Sequence, residues 1–180
     1  MSKERTTPLL EGRWGDHTTW EFHLAGKVPD LSLCTAVGCV AIMNVDAGEV
    51  VLEKNTKRKR YETPAGHTEM GETIEETLER ETLEETGFIV GERRLFGYRK
   101  VLNSPEAKPA RQAYPPVAYI PYFYAFTDQP LQKPTGDDID GAGIFSVSDI
   151  EKLVAKRAMN EVDFAIIREG LAAARARRKR

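Results

Sequence analysis

The stretch GHTEMGETIEETLERETLEETGF, residues 66–88, decides how this sequence is interpreted. From Thr73 to Thr86 it contains no glycine or proline and is rich in glutamate and leucine, which predicts a helix. Thr73 or Glu72 can cap the start of this helix, and Gly87 is placed to end it. Acidic residues in the first turn favour the same start, because they oppose the positive end of the helix dipole.

The predicted helix carries three carboxylates on the face that should pack against the rest of the protein. At 100° per residue, Glu81, Glu84 and Glu85 fall within about 100° of one another. The same face is apolar in the first two turns, at Ile74 and Leu78. Carboxylates on a packed face repel one another and are costly to desolvate. Mg²⁺ or Mn²⁺, which prefer oxygen ligands, would resolve this conflict, and a solvated acidic surface helix is the alternative.

The spacing of charged residues and glycines in this stretch resembles the signature of the Nudix hydrolase family. The matching positions, in order, are Gly66, Glu72, Arg80, Glu81, Glu84, Glu85, Gly87 and Phe88. The sequence departs from the family pattern at Thr82, where an aliphatic residue or alanine is usual. This departure concerns local packing, because Thr82 lies to the side of the carboxylates. A pattern with so many set positions is far more specific than a single glycine-rich motif.

The resemblance implies an α/β fold, a single α/β/α sandwich of the Nudix type with a mixed sheet. It also implies hydrolysis of a diphosphate by metal-activated water. The metal ligands that it implies are the side chains of Glu81, Glu84 and Glu85 and the main-chain carbonyl of Ala65. In the same comparison, Arg80 orients the carboxylates by ion pairing and Glu72 braces the loop before the helix.

The general base and the substrate contacts are less closely defined by the sequence. One Nudix subgroup uses a glutamate from a late loop, and Asp138 lies nearest that position although its side chain is shorter. Glu81 is the other candidate base, and an acidic turn without a catalytic role is the alternative for Asp138. Arg58, Arg60 and His67 are candidate substrate contacts. The alternatives are a solvated basic loop and a bystander histidine.

The remainder of the chain predicts strands separated by loops, followed by two helices. The predicted strands are 18–24, 33–43, 49–53, 61–63, 88–102 with a hairpin around Gly97, 117–126 and 144–147. The predicted long loops are 54–60, 103–116 and 129–143, and the predicted helices are 148–158 and 161–174. Pro121 interrupts one predicted strand, which indicates a bulge or an edge position.

The composition is that of an ordinary soluble globular chain. With 180 residues, 41% hydrophobic and 30% charged, it excludes a disordered or low-complexity protein and is most simply one domain. We divide it into an N-terminal extension with a strand (1–30), a Nudix hydrolase domain (31–160) and a C-terminal helix with a basic tail (161–180).

Compartment and partners follow from smaller signals. No apolar stretch is long enough to span a membrane, and the first residues lack a secretory signal. Cys34 and Cys39 would point to opposite faces of a strand, so a reducing, cytoplasmic location is expected. The expected partner is a small-molecule diphosphate. Nucleic acid is not expected, because no folded nucleic-acid motif accompanies the tail RARRKR. The strand around Trp20 is a candidate edge for pairing in a homodimer.

The predicted function is that of a metal-dependent pyrophosphohydrolase. Its substrate would be a nucleoside diphosphate linked to another moiety, or a nucleoside triphosphate, with Mg²⁺ as cofactor and Mn²⁺ as a substitute. A non-catalytic Nudix-like module that senses a nucleotide is the alternative, and the intact carboxylates argue against it. A structural protein with an acidic helix is a third hypothesis, which predicts no thermal shift with metal.

Overall fold

The computed structural model describes residues 7–106 and 115–179, which form one mixed sheet with helices on both faces. The strands are β1 (Leu10–Arg13), β2 (Thr18–Leu24), β3 (Ala36–Asn44), β4 (Glu49–Asn55), β5 (Arg60–Glu62), β6 (Ala65–His67), β7 (Phe88–Asn103), β8 (Val117–Pro130) and β9 (Ile139–Ser146). The helices are α1 (Ile74–Thr86), α2 (Val147–Ala155) and α3 (Glu161–Arg178), with a short 3₁₀ helix at Leu31–Leu33.

The sheet has the order β1-β2-β7-β8-β3-β4-β5, while β6 pairs with β3 and β9 with β4. The β3–β8 pair is parallel and the other pairs are antiparallel. This mixture confirms the predicted mixed sheet. The loops predicted at 54–60 and 129–143 are shorter than expected, because β4, β5, β8 and β9 all extend into them.

Strand β3 shows how the sheet forms two cores. Its residues Val37, Cys39 and Ala41 belong to a core with Leu78 of α1. The alternate residues Val40 and Ile42 belong to the opposite core, which is the larger of the two. That larger core includes Ile150 of α2 and Ile166, Ile167 and Leu171 of α3. A buried strand with apolar side chains on both faces requires a layer on each side, so the α/β/α sandwich is confirmed.

Local sequence sets both ends of α1. Thr73 accepts the backbone N–H of Glu76 while the Glu76 carboxylate accepts that of Thr73, which forms a capping box. Gly87 ends the helix with φ of 79°, a left-handed conformation that favours glycine. The capping box confirms the predicted start at Thr73. Thr82, the departure from the family pattern, is fully buried on this helix.

The hairpin predicted around Gly97 is wrong, because β7 runs without a turn from Phe88 to Asn103. A Cβ at Gly97 would lie 2.7 Å from the carbonyl oxygen of His23 and 2.8 Å from the ring of Phe22. Glycine at this position therefore allows β7 to lie close to β2. Pro121 lies in a central strand, so the edge position is also wrong. The β7–β8 register shifts between Leu95 and Gly97, beside Pro121, which agrees with the predicted bulge.

The strand around Trp20 is not a sheet edge. It pairs with β1 on one side and with β7 on the other, so its backbone groups already have partners. The prediction that this strand is a free edge, available for pairing in a homodimer, is therefore wrong. The division of the chain at residue 30 stays a prediction, although β2 joins the main sheet through β7.

Cys34 and Cys39 are both free thiols. Burial raises the pKa of Cys39 to about 12, so this side chain acts as a small apolar residue of the α1 core. Among the helices of the described residues, none combines the length and apolar character needed to cross a bilayer.

Candidate active site

Arg80 is the centre of an ion-pair network around the C-terminal half of α1. Its Nε donates to Glu72 at 2.6 Å, and its Nη1 donates to Glu81 at 2.8 Å and to Glu84 at 3.3 Å. Its Nη2 donates to the main-chain oxygen of His67 at 2.9 Å. One guanidinium therefore joins β6, the loop that follows it and the helix. We call Arg80, Glu72, Glu81 and Glu84 the Arg80 network.

Glu72 connects the loop to the helix. Its carboxylate also accepts the backbone N–H of Glu69 at 3.0 Å and the hydroxyl of Thr77 at 3.0 Å. These bonds, with the Arg80 hydrogen bond as the largest cause, lower the pKa of Glu72 to about 2. An ionised carboxylate that accepts several donors holds a loop in one conformation, which is the geometry of a brace.

Glu81 and Glu85 lie against the backbone of β6. The backbone N–H of Ala65 donates to Glu85 at 2.8 Å. A Cβ on Gly66 would come within 1.9–2.1 Å of the Glu81 carboxylate, so only glycine allows this approach. Burial raises the pKa of Glu81. Burial, followed by the charge of Glu53, raises the pKa of Glu85 to about 9.

Two further carboxylates lie beside this site, and the sequence reasoning missed both. Glu53 of β4 and Glu62 of β5 are directly opposite each other, and both are buried. Glu62 accepts Arg58 Nη1 at 2.6 Å and Arg60 Nε at 2.5 Å. Oε2 of Glu53 has no hydrogen-bond partner among the described residues. Burial, then the charge of Glu62, raises the pKa of Glu53 to about 8.

One sequence signal could have found Glu53. Glu53 lies two residues after Val51 in β4, and Val51 belongs to the core that contains Leu78 of α1. Because side chains alternate along a strand, Glu53 lies on the same face of the sheet as α1. Like charges directly across two strands destabilise a sheet unless something neutralises them. We call the buried Glu53 and Glu62, together with the half-buried Glu85 of α1, the buried carboxylate group.

A cavity of about 810 Å³ opens beside β6. All three predicted substrate contacts line it, together with one implied metal ligand, the glycine next to it and both of the missed carboxylates. These are Arg58, Arg60, His67, Ala65, Gly66, Glu53 and Glu62. The carboxylates of Glu81 and Glu85 contact the backbone of Ala65 and Gly66, so the acidic face of α1 is adjacent to this cavity.

Asp138 does not line the cavity. Its carboxylate forms an ion pair with Lys57 at 2.6 Å; the Lys57 side chain is largely exposed to solvent and that of Asp138 is partly exposed. The loop before Asp138 is held to the end of α1, because the N–H groups of Thr135 and Gly136 donate to the main-chain oxygen of Glu84. The predicted late-loop base is therefore near the helix end but directed toward Lys57.

The opposite wall of the cavity is aromatic. It is formed by Trp14, which follows β1, by Trp20 of β2 and by Arg99 of β7. The guanidinium of Arg99 is 4.6 Å from the ring of Trp20, 5.0 Å from that of Trp14 and 5.4 Å from that of Tyr122. No sequence motif indicated this wall, because its residues come from segments about 80 positions apart that meet through strand pairing.

The donor atoms of the site fit a hard divalent cation in their chemistry. They are carboxylate and carbonyl oxygens. Glu53 has an unpartnered oxygen, and burial raises the pKa of Glu85 to about 9, so ionising these carboxyls is costly unless a cation binds. Among the described residues, no three His, Cys, Asp or Glu side chains are gathered around one point as a metal site. Arg80 instead holds Glu81 and Glu84 toward Glu72.

The comparison with protein families decides the classification of the chain. The model of the NUDIX domain matches residues 33–168. This chain belongs to the Nudix family. The matched region begins after β2, so the two N-terminal strands of this Nudix protein lie outside it.

Solved structures agree with this assignment at the level of the fold. A mutant of the Bacillus subtilis pyrophosphohydrolase BsRppH is 21% identical, with a TM-score of 0.59 over 76% of this chain and 77% of that chain. A Nudix hydrolase from Nitrosomonas europaea is 24% identical, with a TM-score of 0.57 over 78% and 90%. The Nudix domain of Shewanella oneidensis NrtR, complexed with ADP ribose, is 15% identical, with a TM-score of 0.58 over 80% and 87%. Among curated proteins, none shows significant sequence similarity to this chain.

Proposed function

We propose that this Nudix protein is a metal-dependent pyrophosphohydrolase. Its substrate would be a nucleoside diphosphate linked to another moiety, or a nucleoside triphosphate. One observation carries the proposal: the carboxylates of Glu81 and Glu85 contact the backbone of β6, and the same strand forms a wall of the cavity that Arg58 and Arg60 line. Acidic metal ligands and basic phosphate contacts therefore meet at one strand.

The proposed metal ligands are those that the family resemblance implies. Glu81, Glu84, Glu85 and the carbonyl of Ala65 would hold Mg²⁺, with Mn²⁺ as a substitute. A bound divalent cation neutralises charge on the phosphates and lowers the pKa of a bound water. Binding the cation would also balance the buried carboxylate group, in which Glu85 and Glu53 both have raised pKa values.

The basic residues of the chain would bind and orient the diphosphate. Arg58 and Arg60 are held by Glu62, and their remaining N–H groups are available to phosphate oxygens. His67 lines the same cavity beside Gly66. In this arrangement Glu62 is a positioning residue, because it holds two guanidinium groups at the cavity wall.

The hydrolytic step requires one proton acceptor. The oxygen of the attacking water forms a bond to one phosphorus, the bond from that phosphorus to the bridging oxygen breaks, and a carboxylate takes the water proton. We favour Glu81 as this base, since it lies against Gly66 at the cavity wall. Asp138 is the weaker candidate, since it is paired with Lys57 outside the cavity.

The decisive experiment compares Glu84→Gln and Glu85→Gln with Glu75→Gln. Glu75 is an exposed residue of the same helix that lies outside the family signature, so its variant controls for the loss of one charge. Turnover is measured with nucleoside triphosphates, ADP-ribose, dinucleoside polyphosphates and sugar nucleotides, in Mg²⁺ and in EDTA. We expect EDTA, Glu84→Gln and Glu85→Gln each to lower turnover by about 100-fold or more, and Glu75→Gln to have no effect.

Other outcomes separate the alternative functions. Nucleotide binding without turnover would support the sensing module, and the absence of any metal-dependent thermal shift would support an acidic structural helix. Wild-type turnover in folded Glu84→Gln and Glu85→Gln variants would overturn the metal assignment. The free thiols of Cys34 and Cys39 support a reducing location, which we propose to be the cytoplasm.

A further inference from the structure

Two N–H donors are buried without partners at the aromatic end of the cavity. They are Nε of Arg99 and Nε1 of Trp20, which have no hydrogen-bond partner among the described residues. The two side chains are only 7% and 5% exposed, and both residues line the cavity. A buried donor without a partner is costly, so such donors indicate a missing acceptor.

The surroundings of Arg99 restrict how it can bind a ligand. The rings of Trp14, Trp20 and Tyr122 lie within cation–π distance of its guanidinium. Because these rings cover much of its surface, hydrogen bonds to a ligand must come from the N–H groups at its edge. Trp20 is itself held in place, since its ring packs against Gly12 so closely that a Cβ there would lie 2.4 Å away.

An acceptor lies in the same part of the cavity. Asp163, in the first turn of α3, lines the cavity together with Asn160, which donates a hydrogen bond to it. Burial raises the pKa of Asp163, and the positive charge of Arg99 opposes this effect. The aromatic end thus offers N–H donors and a carboxyl acceptor between flat apolar walls.

This combination selects among ligand classes. A further phosphate group would meet the negative charges of Asp163 and Glu62 as well as Arg99, which disfavours it. An aliphatic group would leave both N–H donors unpaired. A planar heterocycle with acceptors and donors on its edge matches both the hydrogen-bonding groups and the aromatic walls.

We propose that this end of the cavity is a nucleobase subsite, in which Arg99 and Trp20 donate hydrogen bonds to acceptor atoms on the edge of the base. Trp14 and Tyr122 form its aromatic walls. Trp14, which follows β1, and Trp20 of β2 both lie outside the matched family region, so the N-terminal segment would contribute to substrate selection. The inference rests on the proposed function for the diphosphate end of the same cavity.

The test measures binding without turnover. The sequence contains only two tryptophans, and both lie in this wall, so intrinsic fluorescence reports on this end of the cavity. Adenosine, guanosine, cytidine and uridine 5′-monophosphates are titrated in EDTA against ribose 5-phosphate, which is the same ligand without a base. We expect at least one nucleotide to bind about tenfold or more tightly than ribose 5-phosphate and to change the fluorescence.

Two variants assign the preference to the proposed donors. Arg99→Lys keeps the charge and both tryptophans, while Trp20→Phe keeps an aromatic ring and removes the N–H. Each should lower nucleotide affinity about tenfold and leave ribose 5-phosphate affinity unchanged. Lys100→Gln is the matched control, because Lys100 is the next residue of β7 and does not line the cavity. If Trp20→Phe does not fold, Arg99→Lys alone decides the assignment.

The outcomes distinguish this inference from the proposed function. Equal affinity for ribose 5-phosphate and all four nucleotides would overturn the subsite, and so would a base preference that is unchanged in a folded Arg99→Lys variant. Metal-dependent turnover without base preference would leave the hydrolase proposal intact. Base preference in binding without any turnover would support the subsite and contradict the hydrolase proposal.

Discussion

The Arg80 network and the buried carboxylate group are both rich in glutamate, but the electrostatic surroundings of their carboxylates differ. In the Arg80 network, Glu72, Glu81 and Glu84 all reach one guanidinium, and the pKa of Glu72 falls to about 2. In the buried carboxylate group, the pKa of Glu53 rises to about 8 and that of Glu85 to about 9. Each group contains residues from more than one element, and both lie beside β6.

This difference indicates that the Arg80 network mainly stabilises the fold, whereas the buried carboxylate group belongs to the candidate site. Every carboxylate of the Arg80 network reaches the one guanidinium, which holds the loop and the helix together. The carboxylates of the buried carboxylate group are partnered unevenly, since Arg58 and Arg60 reach Glu62 but Glu53 keeps an unpartnered oxygen. Buried carboxylates with raised pKa values are typical of functional sites.

The largest expected effect is on stability, when the Arg80 network loses its centre. Arg80→Met should lower the free energy of unfolding by several times more than the loss of a single surface ion pair, because it leaves Glu72 and Glu81 without their main partner. Arg93→Met is the control, since it breaks a single ion pair with the half-exposed Glu79 and should cost about 0.5 kcal/mol. Urea unfolding monitored by circular dichroism measures both. Equal losses in the two variants would contradict the central role of Arg80.

The next effect is metal binding, which should involve Glu85 of the buried carboxylate group together with Glu81 and Glu84 of the Arg80 network. At a Mg²⁺ or Mn²⁺ concentration of 100 times Kd, binding should stabilise the wild type by about 2.7 kcal/mol. For a chain of this size, that corresponds to a rise in melting temperature of about 5–10 °C. Glu85→Gln should lose most of this rise and Glu75→Gln none of it. A full rise in Glu85→Gln would show that the metal binds elsewhere.

A smaller effect concerns pH in the absence of metal. The pKa of Glu53 is raised from 4.5 to about 8, so its contribution to stability is fully present below pH 4.5 and is lost as the pH rises to 8. Besides burial, the charges of Glu62 and Glu81 raise the pKa of Glu53, and the charge of Arg58 lowers it. Glu53→Gln stays neutral, so it should be more stable than the wild type at pH 8–9, by about 1–2 kcal/mol.

Differential scanning calorimetry in EDTA at several pH values between 5 and 9 tests this expectation. The two proteins should have similar melting temperatures near pH 5 and should diverge as the pH rises. Glu75→Gln, which removes an exposed carboxylate of α1, should follow the wild type throughout. A constant difference between Glu53→Gln and the wild type at all pH values would show that the carboxyl of Glu53 does not titrate in this range.

The smallest expected effect is at Asp138. Asp138→Asn should change stability by less than about 0.5 kcal/mol, because it removes an exposed ion pair with Lys57. We expect turnover to fall less than about threefold, whereas Glu81→Gln should abolish the limb of the pH–rate profile that reports the base. A large loss in Asp138→Asn with an altered pH profile would instead assign the base to Asp138.

The sequence predicted the local parts of the fold well. The helix α1, its cap at Thr73 and its end at Gly87 depend on contacts within a few residues, so they could be recognised without tertiary information. The predicted hairpin around Gly97 was wrong, because a glycine within a strand can mark either a turn or a close contact with another strand. Here it allows the ring of Phe22, on β2, to approach closely, and the local sequence around Gly97 does not show that contact.

The candidate site divides in the same way. Arg80, Glu81, Glu84 and Glu85 lie on one helix, so their spacing was sufficient to place them together. Glu53 and Glu62 become a pair only through the β4–β5 register. Trp20 and Arg99 come together only because β2 pairs with β7. Pairing between distant strands depends on the whole sheet, which periodicity within one segment does not define.

By itself, the sequence determined the acidic helix, its boundaries and the order of its charges, because an α-helix converts residue spacing directly into a face. Only the tertiary structure decided which of those carboxylates are held by Arg80 and which lie against other carboxylates. That distinction depends on where Arg80 reaches and on the burial of Glu53 beside the half-buried Glu85. Burial and long-range contacts are properties of the packed chain, so the energetic setting of the site emerged only with the fold.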